Sequence, residues 1–318
     1  MTVKRTIGWM LVALLVGMGF SGSAQLPVTV LDIDPGVGLL GAGGAGLSIP
    51  RGAETLYYNP AALSQLPGIS FSSFYASYLG VANYSAFALS FPNFGVAALL
   101  FNSGGIQGYD ADGTQTDTLA FANTGFMFGA GLTPSDLPFL PNLGFDFALG
   151  ARVKGLTATI GEVTGAGFSV DLGFWSEFPG TRFGSISVSD IGLAVTVVNM
   201  FGAITYDTVQ ESFAMDIQVG FSALFMETLR AAVDLRLGGS THFGLAYSPM
   251  PTFEVRAGLI ARGGISITAG LGVNVEGFLI DYAFVTHSLA ATHRISLTLD
   301  FSALDLGSLS RSLRRLLP

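Results

Sequence analysis

The chain predicts an all-β fold, a transmembrane antiparallel β-barrel of about 14 strands, on three observations. First, stretches from Ile69 onward alternate apolar and polar residues with period two and mostly run about ten residues to a Gly, Pro or Asn break. Second, 50% of the 318 residues are hydrophobic and only 11% are charged, with a mean hydropathy of +0.56, too apolar for an ordinary soluble domain. Third, outside the N-terminus no apolar run approaches the roughly 18 residues that a membrane-crossing helix needs. In hydrocarbon every backbone N–H and C=O must be paired internally, so a closed barrel is what remains once helices are set aside. The clearest strand puts Phe145, Phe147, Leu149, Ala151 and Val153 on one face and Asp146, Arg152 and Lys154 on the other.

Residues 1–24 read as a signal peptide: Lys4 and Arg5 form the charged region, Trp9 to Phe20 the apolar core, and Gly22, Ser23 and Ala24 a small-residue cleavage site. An uncleaved anchor helix is the competing reading, disfavoured by the short apolar stretch. The mature chain is then exported, and a barrel belongs in the cell outer membrane, against outer-membrane lipid. Without Lys4 and Arg5 the 14 basic residues become 12 against 22 acidic ones, a net charge of −10 that argues against nucleic acid. With 0 cysteines there is no disulfide framework, thiolate metal site or lipoprotein anchor.

Residues 25–68 form a Gly-rich, weakly periodic segment, whose glycines permit tight turns and close packing. Residues 69–301 carry the barrel, with strands predicted over 69–79, 84–91, 94–101, 119–131, 143–153, 166–177, 184–198, 213–224, 229–237, 241–248, 252–262, 264–273, 276–285 and 292–301. The short breaks at 92–93, 225–228, 249–251 and 274–275 then fall at one end. The long polar breaks at 102–118, 154–165 and 200–212 fall at the other, as periplasmic turns and external loops do. The break at 133–142 is long for a turn, and Gly263-Gly264 is short for a loop. An even strand count leaves both termini periplasmic, so the N-terminal segment would enter the lumen from below as a plug. Ile186 and Val188 lie out of phase with Ile191, Leu193, Val195 and Val197, which predicts a bulge near Ser189-Asp190. The tail, 302–318, sets leucines among Arg311, Arg314 and Arg315. It reads either as a basic amphipathic helix at the membrane surface or barrel mouth, or as a tail without a partner.

Asp146, Arg152, Arg230, Asp234, Arg236, Glu254, Arg256, Asp281, Arg294 and Asp300 alternate with apolar neighbours. An Arg or Lys facing mid-bilayer lipid costs roughly 2–4 kcal/mol, so all ten are assigned to the lumen. Their mixed signs predict cross-strand ion pairs bracing a narrow interior. Most aromatics, Tyr84 and Trp175 among them, read as headgroup-level belt residues.

Enzymatic and cofactor signatures are weak. Gly36, Gly38 and Gly41 spell G-x-G-x-x-G, as do Gly41, Gly43 and Gly46, but Pro50 and Pro60 follow in place of a long helix presenting its N-terminus to pyrophosphate. His242, His287 and His293 lie in no H-x-x-x-H arrangement, so no metal is expected. His293 with Ser296 or Ser288 lacks a G-x-S-x-G elbow, so the chain reads as a non-enzyme without cofactors.

Gly52-Ala53-Glu54-Thr55-Leu56-Tyr57-Tyr58-Asn59-Pro60-Ala61-Ala62-Leu63 resembles the A-x-x-x-x-Y-W-N-P-A-G-L segment of the PorV/PorQ branch of FadL-like outer-membrane proteins. Asp281-Tyr282-Ala283-Phe284 and Thr292-His293-Arg294-Ile295-Ser296-Leu297 resemble that family's closing strands. Tyr58 stands where the family has Trp, Ala62 where it has Gly, and the chain continues past Phe301, where many barrels end on an aromatic. The resemblance implies a 14-stranded barrel with an N-terminal lumen plug carrying Tyr57, Tyr58, Asn59, Pro60, Ala61, Ala62 and Leu63. It also implies passage of hydrophobic small molecules such as fatty acids, or a partnership with secreted proteins and type IX secretion machinery; a structural outer-membrane protein is the remaining alternative. A transporter should show a continuous apolar path from the outer loops to the plug, and a secretion partner an exposed apolar patch at its external rim.

Overall fold

The computed structural model describes residues 29–78, 80, 82–137, 145–287 and 291–304. The predicted signal peptide, part of the break at 133–142, Ser288 and the tail beyond Leu304 lie outside these residues. Sixteen strands form one antiparallel sheet: β1 Ser70–Tyr78, β2 Ala82–Phe91, β3 Phe94–Tyr109, β4 Gln115–Leu132, β5 Asp146–Ile160, β6 Val163–Phe178, β7 Thr181–Phe183, β8 Ile186–Tyr206, β9 Val209–Ser212, β10 Asp216–Phe225, β11 Leu229–Arg236, β12 Ser240–Met250, β13 Phe253–Ala261, β14 Ile265–Val275, β15 Phe278–Val285 and β16 Thr292–Asp300. β7 and β9 pair only with β8. The other 14 close into a ring, because β8 pairs with β10 and β16 pairs with β1 from Ser70↔Asp300 to Ala76↔Arg294. Closure leaves no sheet edge within the wall. No helix among the described residues is long and apolar enough to cross a membrane.

Side chains alternate as a barrel wall requires. On β5, Val153 is 48% exposed while Arg152 on the other face is 4% exposed. On β14, Ile265, Ile267, Leu271 and Val273 face out while Thr268, Gly270 and Gly272 face in. The sheet pairing of β8 with β10 slips between Ser222 and Leu224, so Asp190 (φ +47°) lies in a bulge at the place where the period of β8 changes phase. A second bulge, at Val198–Met200 opposite Asp171, puts Asn199 at φ +55°.

The breaks at 102–118, 154–165 and 200–212 are corrected: they are strand, not long loops. β3 and β4 run on to a turn at 110–114, β5 and β6 to 161–162, and β8 and β9 to 207–208. Beyond the apolar band both faces of a hairpin meet water, so the apolar–polar alternation that marks a wall strand disappears there. The Thr, Ile, Tyr and Val residues of these stretches are the strand signal that remains.

Inside the ring lies the segment 29–68. It contains helix α1 (Val37–Gly41), helix α2 (Thr55–Tyr58) and three 3-10 turns, Val30–Asp32, Gly52–Glu54 and Pro60–Gln65. Its side chains meet inward residues of many strands. Val30, Leu56 and Leu63 pack with Phe74, Tyr84, Leu99 and Leu156, and Leu47 and Tyr58 with Ala148, Trp175 and Ala194.

Candidate functional site

A Gly-rich segment with little helix has many backbone groups that it cannot pair itself, and buried ones must be paired by something else. The wall supplies the partners. Asp234 accepts from Gly46 N–H (2.8 Å) and Leu47 N–H (3.1 Å). Thr268 Oγ1 accepts from Gly43 N–H (2.9 Å) and donates to Gly41 O (3.1 Å), His242 Nδ1 lies 2.7 Å from Gly43 O, and Arg294 donates to Asp34 O. Glu54, within the segment, accepts from Gly38 N–H (3.0 Å) and Leu39 N–H (3.3 Å). A short helix therefore does follow Gly36, but a carboxylate of the chain already occupies its first amides, and the glycines serve packing.

The motif Tyr57 to Leu63 has a specific seat. Asn59 Oδ1 accepts from Ala61 N–H (3.0 Å) and caps the turn Pro60–Gln65, while its Nδ2 donates to Leu47 O (3.2 Å) and to Phe174 O of β6 (3.0 Å). The Pro60–Ala61 backbone and the Asn59 side chain rest on Gly131, Gly150 and Gly173, which are register partners across β4, β5 and β6. A Cβ on Gly131 would stand 2.6 Å from Ala61 O, and one on Gly150 2.6 Å from Ala61 Cα. Only glycine fits such an approach of backbone to backbone. A second seat holds Ala42 and Gly43 on the paired Gly244 and Gly258 of β12 and β13, with Gly41 against Gly270. Tyr57, Tyr58, Ala62 and Leu63 join the hydrophobic core around these seats.

The ten lumen-assigned residues divide into three groups. Arg152 and Lys154 converge on Asp171, Lys154 at 2.9 Å. Arg256 meets Asp281 at 2.7 Å across β14, where Gly272 leaves the room, and also bonds Glu254. Arg230 meets Asp190 at 2.7 Å. In this group Arg152, Arg256, Asp281 and Arg230 reach partners on other strands, while Glu254 and Arg256 pair along β13. Asp234 and Arg236 correct the expected cross-strand pairing: they are spent on the backbone of the inner segment, Arg236 on Gly44 O at 3.4 Å, and Arg294 also reaches that backbone at Asp34 O. Asp146 and Asp300 sit at the short-turn mouth, Asp146 exposed and Asp300 accepting from Ser302 N–H (3.0 Å).

Sequence reasoning missed Arg51, Glu54 and Asp171 among the polar residues of this interior. Arg51 reaches Asp281 (3.1 Å), Glu254 (3.4 Å) and Glu54 (3.7 Å), tying the segment to β13 and β15. Asp171 additionally accepts from Asn199 N–H (2.8 Å). The period of β6, with Ser169, Asp171 and Gly173 alternating with Val170, Leu172 and Phe174, would have found Asp171; the aperiodic 49–54 stretch carries no such signal for Arg51 and Glu54. The belt reading is corrected for Tyr84 and Trp175, which are buried inside and donate to Ile33 O (2.9 Å) and Ser48 O (3.0 Å). Tyr75, Tyr247 and Tyr282 do face outward, Tyr282 bonded to His293 at 2.6 Å. His293 is exposed and Ser296 buried on alternate faces of β16, so the two do not meet.

Two cavities flank the segment. The one towards the long-hairpin end is about 230 Å³ and is lined by Leu31, Asp34, Tyr57 and Tyr58 below and Met127, Arg152, Arg236 and Arg262 around. The one towards the short-turn end is about 40 Å³, between Leu39, Ile49 and Arg51 and the wall residues Arg230, Ala246 and Glu254. An aromatic row crosses the inner wall from β1 to β4: Phe74 to Tyr84 at 4.9 Å between ring centres, Tyr84 to Phe101 at 6.2 Å and Phe101 to Phe121 at 5.8 Å.

The fold is a closed 14-stranded antiparallel β-barrel with residues 29–68 packed against its inner face. The structure is similar to the toluene transporter TbuX of Ralstonia pickettii (14% identity over 85% of this chain and 97% of that one, TM-score 0.50). It is also similar to the CymD monoaromatic hydrocarbon channel (12% identity, 85% and 97%, TM-score 0.53). At these identities the likeness is one of fold. The sequence matches no family model and no curated protein.

Proposed function

We propose that the chain is a non-enzymatic outer-membrane barrel that passes small hydrophobic molecules inward through its plugged lumen, in the manner of FadL-like transporters. One observation carries this reading: the segment 29–68 fills the middle of the lumen and leaves a cavity of about 230 Å³ towards the long-hairpin end and a smaller one towards the short-turn end. A plugged interior of this kind suits gated passage better than open diffusion. The names of the similar structures, a toluene transporter and a monoaromatic hydrocarbon channel, support the substrate class. In this reading residues 1–24 are removed on export, both termini are periplasmic, the long hairpins stand outside, and the Tyr57–Leu63 motif is the keystone of the plug. Uptake of radiolabelled toluene and oleate by cells carrying the barrel tests it against cells carrying an unrelated plugged barrel. Several-fold faster uptake of either compound is expected, and equal rates of both contradict the proposal.

A second reading, a PorV-like partner of secreted proteins, is favoured by one feature. The projecting hairpins carry the exposed apolar side chains Tyr109, Ile160, Val163 and Val209 near their tips. Their replacement by serine would abolish surface delivery of cargo in that case and leave hydrocarbon uptake unchanged.

A further inference from the structure

The two cavities lie at different levels of the same strands: Arg236 lines the upper and Arg230 the lower, six residues apart on β11 and roughly 20 Å along it. Tyr58 lines the upper cavity and Leu39 the lower, and both lie on Gly46. A Cβ on Gly46 would stand 2.7 Å from Leu39 Cδ1 and 3.1 Å from the Tyr58 ring. Gly36 makes room for the other edge of the same ring, 2.6 Å from the site its own Cβ would take. The ring is held by its hydroxyl, which donates to Asp34 Oδ2 at 2.6 Å.

The backbone on both sides of this contact is fixed. Ala42 and Gly43 sit on wall glycines, Gly46 and Leu47 amides are bonded to Asp234, and Asn59 to Ala61 rest on the three-glycine seat. Lifting the segment would unpair these buried amides together, whereas swinging one aromatic and one leucine side chain unpairs a single hydroxyl. We propose that Tyr58 and Leu39 are the gate of the barrel, opening by side-chain rotation over Gly46 while the plug backbone stays seated. This rests on the transport reading, but its readout does not need the natural cargo.

The test is the potassium chloride conductance of the full chain in planar bilayers, for the native protein and for Leu39→Ala, Tyr58→Ala and the double variant. The same variants are measured with the plug tethered through Gly52→Cys and Ser70→Cys. The β-carbons of that pair would stand 3.6 Å apart, within disulfide range, in a chain with 0 cysteines of its own. Conductance about tenfold above native is expected in Leu39→Ala and more in the double variant, unchanged when the tether is oxidised. Should Tyr58→Ala not fold, Leu39→Ala alone decides. Native-level conductance in folded Leu39→Ala overturns the gate. A gain that disappears on tether oxidation overturns it too, because the plug would then move as a body. Potassium and chloride report on the partition whatever the cargo, so a failure of hydrocarbon uptake leaves this result standing.

Discussion

Asp171 is fully buried in the wall and holds three donors, Arg152, Lys154 and the Asn199 amide. Removing one partner of a buried ion pair typically costs about 3–5 kcal/mol, because the remaining charge is left uncompensated. Asp171→Ala is therefore expected to lower the urea midpoint of the refolded barrel, followed by tryptophan fluorescence, and an unchanged midpoint would contradict the burial of this pair. Gly150 makes a steric argument of the same scale. Its added Cβ would meet the Pro60 and Ala61 backbone, whereas one on Gly155, on the same strand, would meet open space. Gly150→Val should lose the heat-modifiable band of a folded barrel on a gel, and Gly155→Val should keep it. Period-two alternation made Arg152, Arg256 and Asp281 legible as inward residues from the sequence. It did not reveal that Asp234 and Arg294 serve the plug backbone, because those partners come from an aperiodic segment nearly two hundred residues or more away.

At the scale of elements, the legible strands were those half in lipid. Where β3 and β4 leave the apolar band, Gly104 to Tyr109 and Gln115 to Ala120 pair only with one another, since β2 stops at Ala82↔Ser103 and β5 begins pairing at Phe121↔Ile160. With water on both sides, no pattern of alternation separates such a ribbon from a loop. Replacing residues 104–120 by a two-residue Asn-Gly turn, which joins the register partners Ser103 and Phe121, should leave the barrel folded by the same gel assay; loss of the folded band would show that the ribbon supports the wall. Trp175 and Tyr84 illustrate the opposite failure. Aromatics of a membrane barrel are expected at the headgroup level, but a ring that also carries a donor suits a lumen full of unpaired carbonyls, and Ser48 O and Ile33 O take those donors.

For the whole molecule, strand number and closure follow from composition and period, because a lipid-spanning sheet has no other way to satisfy its edges. The filled lumen follows from something subtler, a correspondence between glycines on the wall and turn backbone in the segment 29–68 that no single stretch displays. Gly131, Gly150 and Gly173 are spread over more than forty positions and become one surface only through the register of β4, β5 and β6. The most direct test of a barrel whose own N-terminal segment is seated in its lumen is hydrogen–deuterium exchange of the protein in detergent, read at Gly43, Gly46, Leu47 and Ala61. These amides are bonded to Thr268, Asp234 and Asn59 in the interior, so protection comparable to that of the wall strands is expected. Exchange of all four within seconds, against protected strands, would contradict it.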